Sequence, residues 1–205
     1  MKHLLKFSVL LIALSVFVGC NKDDDSSNED DDEDIAQLVE NFVTPELLQS
    51  LTDLGYDFND GKDTPDISGT FLFSTTVLSA TNIESDFAPG SLFNDVTMAI
   101  SNLNPEARTF DFILTENNSI SGETQASFYS GSGNEFSAYV RSRADIGNAR
   151  PIILYAISGT ITEGGITNAQ YSLLMLDDDG DPDDILIENS EGRLFVDKDG
   201  TAARQ

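Results

Sequence analysis

The densest set of metal-type oxygen ligands in the chain is Asp177-Asp178-Asp179-Gly180-Asp181-Pro182-Asp183-Asp184. Carboxylates at alternating positions of a tight loop are what calcium takes, and Asp177, Asp179, Asp181 and Glu188 fall where positions ~1, 3, 5 and 12 of an EF-hand loop would. Pro182 stands where that loop requires glycine, and the flanking runs read as strands. The favoured expectation is therefore an exposed acidic turn made of good turn formers, with a calcium-stabilised β-loop built on those four residues as the alternative. A second constellation is Tyr139, Arg141 and Arg143, alternate residues of one run and hence on one face of a strand. Two guanidinium groups beside a phenol suit an anionic or sugar-like ligand. The favoured expectation is nonetheless an outward face paired with neighbouring acids.

Other chemistries are excluded more firmly. The only histidine is His3 and the only cysteine is Cys20. Beyond residue 20 the chain can form neither a Ser-His-Asp nor a Cys-His arrangement, nor the usual zinc ligand sets. Catalysis would fall to carboxylates, as in a carboxylate-pair glycoside hydrolase, whose two acids stand about 5–10 Å apart across a cleft. With 36 acids in 205 residues, such pairs are expected by chance, so a non-catalytic binding or structural module reads better than an enzyme. There is no tryptophan to form a sugar-stacking platform, and any platform would rest on tyrosine or phenylalanine.

The first 34 residues have a different task. Lys2 and Lys6 precede an apolar run, Phe7 to Val18, too short to span a bilayer and fitting a signal-peptide core. The run ends in Phe17-Val18-Gly19-Cys20, which resembles the lipobox of bacterial lipoproteins, where the cysteine becomes lipidated and N-terminal. Asn21-Lys22-Asp23-Asp24-Asp25 is similar to the lysine-plus-acid export signal of surface-exposed Bacteroidetes lipoproteins. The resemblance implies an outer-membrane location facing the cell exterior, with lipidation on Cys20 and an export signal of Lys22, Asp23, Asp24 and Asp25. Acyl chains would then supply the membrane attachment. A secreted protein with an incidental cysteine is the plainer alternative.

The formal charge is −25. Residues 20–34 hold nine acids against Lys22, and residues 35–205 hold 27 acids against 8 bases, a net −19. Such a body repels nucleic acid and anionic headgroups, which leaves neutral, sugar-like, cationic or calcium-bridged partners.

The elements that must position these residues follow a simple order: a signal peptide over 1–19, an acidic tether over 20–34, a helical segment over 35–62 and a β domain over 63–205. Ile35, Leu38, Val39 and Phe42 make one helical stripe. Thr44-Pro45-Glu46 restarts the helix with a cap, a first-turn proline and an acid. Leu47, Leu48, Leu51 and Leu54 form its apolar face, and Gly55 stops it. This stripe needs a partner, either the face or the open end of the domain that follows.

From Ile67 the apolar period becomes two. Runs follow at 67–77, 96–100, 110–114, 124–129, 136–143, 152–161, 166–176, 185–187 and 193–196, separated by glycine, proline and asparagine turns. Eight or nine strands so punctuated argue an all-β, antiparallel barrel or sandwich. Glu163-Gly164-Gly165 marks the tightest hairpin, and Asp197-Lys198-Asp199-Gly200 a terminal turn.

Leu54-Gly55-Tyr56, Ile67-Ser68-Gly69-Thr70-Phe71, the Ser130 to Phe136 stretch and Arg193 to Gly200 together resemble an uncharacterised family of Bacteroidetes lipoproteins. That resemblance implies no activity. The Gly69-Thr70-Phe71 opening is also similar to the first strand of lipocalin-like barrels, with Phe71 where those barrels carry tryptophan.

Overall fold

The computed structural model describes residues 37–205 apart from 118 and 121. The signal peptide, Cys20, the export signal at Lys22 to Asp25, the tether and Ile35 lie outside the described residues. Two helices come first, α1 over 37–42 and α2 over Pro45–Leu54. Twelve strands follow: β1 Gly69–Phe73, β2 Thr76–Thr81, β3 Leu92–Phe93, β4 Val96–Asn104, β5 Thr109–Glu116, β6 Ser119–Ile120, β7 Glu123–Ser132, β8 Glu135–Arg143, β9 Ile152–Thr162, β10 Gly165–Asp177, β11 Gly192–Asp197 and β12 Thr201–Arg204. All their pairings are antiparallel.

The all-β reading with a short helical preface therefore holds, with three changes of detail. The 67–77 run is two strands, β1 and β2. The 185–187 run is not a strand: Asp181 and Asp184 take left-handed backbone conformations just before it, and Ile185 points to solvent. A last strand, β12, appears in Thr201-Ala202-Ala203-Arg204, which is too short and too weakly apolar to signal itself.

β10 is the hub. One edge pairs with β9 along its length, continuing to β8 and β7. The other edge is divided: Gly165 to Thr167 pair with β12, and Gln170 to Leu174 pair with β11. Between them the ladder slips at Asn168, whose φ is 51°, the geometry of a β-bulge. The sheet forks at this point into β11-β2-β3 and β12-β1-β4-β5-β6. Gly165 begins the strand with φ 140° against the Ala202 carbonyl, so any side chain there would collide with backbone.

The second branch curls round until β5 lies beside β7, but the ladder does not close into a barrel. Instead the Ser127 hydroxyl both donates to the Phe110 carbonyl (2.6 Å) and accepts from its N–H (2.9 Å). The Thr124 hydroxyl donates to the Phe112 carbonyl, and the Tyr129 N–H to the Arg108 carbonyl. A side-chain seam thus stands where a closed barrel would have strand pairing.

The space inside the curl is filled. Phe71, Phe73, Leu78, Met98, Phe136, Ile157 and Ile166 are all buried there, with Tyr129, Tyr155, Tyr171 and Phe195 among them. A second cluster lies outside. Val39, Val43, Leu47, Leu51 and Leu54 from the helices pack on Phe128, Tyr139, Leu154, Ala156, Leu174 and Leu194 of β7 to β11. The helical stripe therefore covers a sheet face and not an open end, while Leu38 is left exposed.

Local sequence explains how the helices stop and dock. Gly55, at φ 84°, ends α2, and its N–H and that of Tyr56 close on the Thr52 and Leu51 carbonyls. Thr44 occupies the cap position without a side-chain hydrogen bond. Residues 56–60 then cross the same face as a strap: the Tyr56 hydroxyl donates to the Ile157 carbonyl, and Asp57 and Gln170 exchange hydrogen bonds. Leu51 is fully enclosed in this layer. Leu51→Ala is expected to destabilise the protein by about 2–5 kcal/mol, read as a lower midpoint in chemical denaturation.

Candidate functional site

The Tyr139–Arg141–Arg143 row does share one face of β8, and that face is the one under the helices. Tyr139 is fully buried, its ring 6.2 Å from that of Tyr56. The Arg141 guanidinium donates to the Phe42 carbonyl and lies 4.9 Å from the centre of the Phe42 ring. Arg143 pairs across the ladder with Glu123 at the exposed end of β7. Arg141 thus fastens α1 to the sheet while Tyr139 lies beneath Tyr56 of the following segment, and the row is covered between them. Burial above all, with the Asp60 carboxylate nearby, pushes the Tyr139 hydroxyl well above its ordinary range.

The acidic loop folds back on its own backbone. Asp177 accepts from the Asp179 N–H (3.0 Å) and Asp178 from the Gly180 N–H (2.8 Å). One Asp181 oxygen accepts from the Leu186 N–H, and Asp179 reaches out to the Arg150 N–H. Asp183 holds Asn148 through both the N–H and the side-chain amide, which lowers its pKa. The Glu188 N–H is taken by the Glu191 carboxylate. Asp177, Asp179, Asp181 and Glu188 are thereby distributed along the loop. Among the described residues no group of three or more acidic, histidine or cysteine side chains is arranged to hold a metal ion. These are Asx-type turns, which pin a glycine-poor loop in left-handed conformations. The expected result of a thermal melt with and without chelator is one unchanged midpoint; a bound calcium would raise it by mass action.

Two clefts lie at opposite ends of the curl. The first, about 220 Å³, is lined by Phe93, Val96, Leu114, Tyr155, Tyr171, Leu173 and Phe195, with Asn94, Glu116 and Arg193 as its polar members. A more open groove continues from Phe93 and Asn94 over Asp95, Thr97, Thr115 and Asn117. At this mouth the polar groups are paired with one another. Arg193 meets Asp86 through two parallel hydrogen bonds of 2.8 and 2.7 Å, and the Thr81 hydroxyl adds a third at 2.7 Å. Glu116 accepts from the Asn94 amide at 2.8 Å. Tyr171 stacks on Phe195 at 4.9 Å, and burial pushes its hydroxyl well above the usual phenol range.

The second cleft, about 430 Å³, lies between residues 64–68 and the β4–β5 turn, lined by Thr64, Pro65, Asp66, Ser68, Leu103, Pro105 and Tyr129. Arg108 draws the preceding loop over this end by donating to the Gly61 and Lys62 carbonyls. Neither cleft was marked in the sequence. Asp86 and Arg193 are 107 positions apart, and Tyr129 reads only as one more alternating core residue.

With the arrangement described, comparison with models of protein families, with curated proteins and with solved structures yields no match. The chemistry must be read from the residues alone.

The Arg193 guanidinium, through its hydrogen bonds, holds the Asp86 carboxyl well below the usual carboxylate range. The Asp86 side chain is only 3 % exposed, so solvent screens the pair little. Because the folded pKa lies below the unfolded value of ~3.9, this contribution is complete above that value and fades as pH falls through the acid range. Asp86→Asn should cost about 1.5–3 kcal/mol at pH ~7. The gap from wild type should narrow toward pH ~3 in denaturation curves taken at both values.

Proposed function

We propose that the chain is a lipid-anchored, outward-facing outer-membrane protein, of the Bacteroidetes lipoprotein kind its N-terminal residues resemble, whose β domain is a non-catalytic binding or structural module. The anchor is Cys20, with Lys22, Asp23, Asp24 and Asp25 directing surface display and the acidic residues up to 34 holding the domain away from the membrane. The observation that best supports the non-catalytic reading is that the acids at the mouth are engaged: Asp86 by Arg193, and Glu116 by Asn94.

A glycoside hydrolase needs one carboxyl kept protonated near neutrality and another facing it. Among the described residues the carboxyl raised by burial is Asp197, and both its oxygens are committed to the Ser74 and Asp199 N–H groups. The filled interior supports a module that works through its ends and surface and not through a lumen. Cys20→Ser should shift the protein from the membrane fraction to the soluble fraction, because an acylated cysteine is the only attachment in this reading. Retention of the variant in the membrane would overturn the anchor.

A further inference from the structure

Residues 35–205 hold 27 acids against 8 bases, so the domain as a whole repels anions and attracts cations. At the cleft of about 220 Å³ that bias becomes local. Arg193 lines this cleft, but Asp86 takes its guanidinium through two hydrogen bonds, and the pair contributes no net charge. The other carboxylate of the cleft, Glu116, has only the neutral Asn94 amide as a hydrogen-bond partner among the described residues. Its charge is felt inside: burial first, and then Glu116, raises the pKa of the Tyr171 hydroxyl in the same lining. The groove that continues outward adds Asp95, which accepts from the Ser74 hydroxyl at 3.0 Å, again a neutral donor. Two carboxylates thus stand at this mouth without a cation.

The walls beside them are aromatic. Phe93, Tyr155, Tyr171 and Phe195 line the cleft, with Val96, Leu114 and Leu173 between them. A ring attracts a cation placed over its face within about 6 Å of its centre. Phe93 already takes part in one such contact, with the Arg193 guanidinium 5.9 Å from its centre. A carboxylate set among rings suits an organic cation better than a metal ion, because calcium asks for six or more oxygen ligands and the rings offer none. The volume is below the ~300–1,000 Å³ usual for drug-sized ligands, which restricts the occupant to one small charged group.

We propose that this mouth binds a small alkylammonium cation, with its charge toward Glu116 and its alkyl groups against Phe93 and the neighbouring rings. The inference rests on the binding-module reading and gives it a place and a ligand class.

The test is titration of the full chain in non-ionic detergent with choline, read by ligand-observed NMR and by thermal melts. The neutral control is 3,3-dimethylbutanol, which has the same shape with carbon in place of the charged nitrogen. Choline is expected to bind, and the neutral analogue to bind about fivefold more weakly or worse. Glu116→Gln keeps the size of the side chain, removes its charge and should weaken choline binding about fivefold or more. Glu163→Gln removes one charge at the exposed turn ahead of β10 and should leave binding unchanged. Phe93→Leu keeps an apolar wall without a ring and should weaken choline more than the neutral analogue. No binding of choline to wild type, or equal binding by wild type and Glu116→Gln, overturns the proposal. An equal loss in Glu163→Gln also overturns it, since the attraction would then belong to the whole charge of the domain. Equal affinity for the two probes, or an equal loss of both in Phe93→Leu, removes the cation while leaving a binding module in place. Fractionation of Cys20→Ser reads the anchor independently of any ligand, so the two readings fail separately.

Discussion

One buried carboxylate holds the place where the sheet divides. β1 must leave β12 and turn into β2, and β11 must leave β10 and turn into β12, within a few residues of each other. Asp197 sits between these two turns, only 3 % exposed, with one oxygen on the Ser74 N–H at 2.7 Å and the other on the Asp199 N–H at 3.0 Å. The Lys198 N–H closes the same junction on the Thr75 carbonyl. Burial raises the pKa of this carboxyl even though two N–H groups favour its charge; desolvation is the larger effect. The cost is accepted because the backbone groups at the fork have left the ladder and need partners. The bulge at Asn168 in β10 lies opposite this junction, with the Ala169 N–H on the Gly200 carbonyl. Without the fork, one branch could not run on to β2 and β3 while the other curls toward β7.

The fork also dictates why the helices lie where they do. A sheet curled this tightly fills its inner side with aromatic and aliphatic side chains and has no lumen for a helix to plug. Its outer side over β7 to β11 still presents Phe128, Tyr139, Leu154 and Leu174, which need cover. The leucine face of α2 and the strap over 56–60 provide it. The Ser137 hydroxyl accepts the Asn59 N–H at 2.8 Å, and the Asn59 amide donates to the Phe136 carbonyl at 3.0 Å. The strap is thereby tied to β8 through hydrogen bonds. Apolar burial supplies the attraction, and these bonds fix the register.

What the sequence discloses follows from how local each cause is. The Gly55 stop, the Glu163-Gly164 hairpin and the alternating strands are set by neighbours a few residues apart, and they are legible. The Tyr139–Arg141–Arg143 face is legible as a face. Its occupant is not, because the helix that covers it lies about a hundred positions away. The 185–187 run carries strand-like residues but follows a loop of Asx turns; its backbone is captured by Asp181 before a ladder can form. The candidate sites suffer most. The Asp86–Arg193 pair joins the β2–β3 loop to β11, and the cleft beside Tyr129 is formed by segments far apart in the chain. Neither property belongs to any stretch of chain.

Charge points the same way. A body with 27 acids has only 8 bases, and five of its six arginines are spent on its own backbone or acids. Arg108 holds the Gly61 and Lys62 carbonyls, Arg141 the Phe42 carbonyl, and Arg204 the Ser68 carbonyl while covering the Phe71 ring. Arg150 meets Asp145 at the surface, and Arg193 meets Asp86 beneath it. Apart from the exposed Arg150–Asp145 pair within the β8–β9 connection, these forks of donors fasten a loop, helix or terminal segment to the sheet, a task for which a planar guanidinium is suited. The guanidinium groups of an acidic body are thus spent chiefly on holding its own segments in place, and their charge is consumed within the fold.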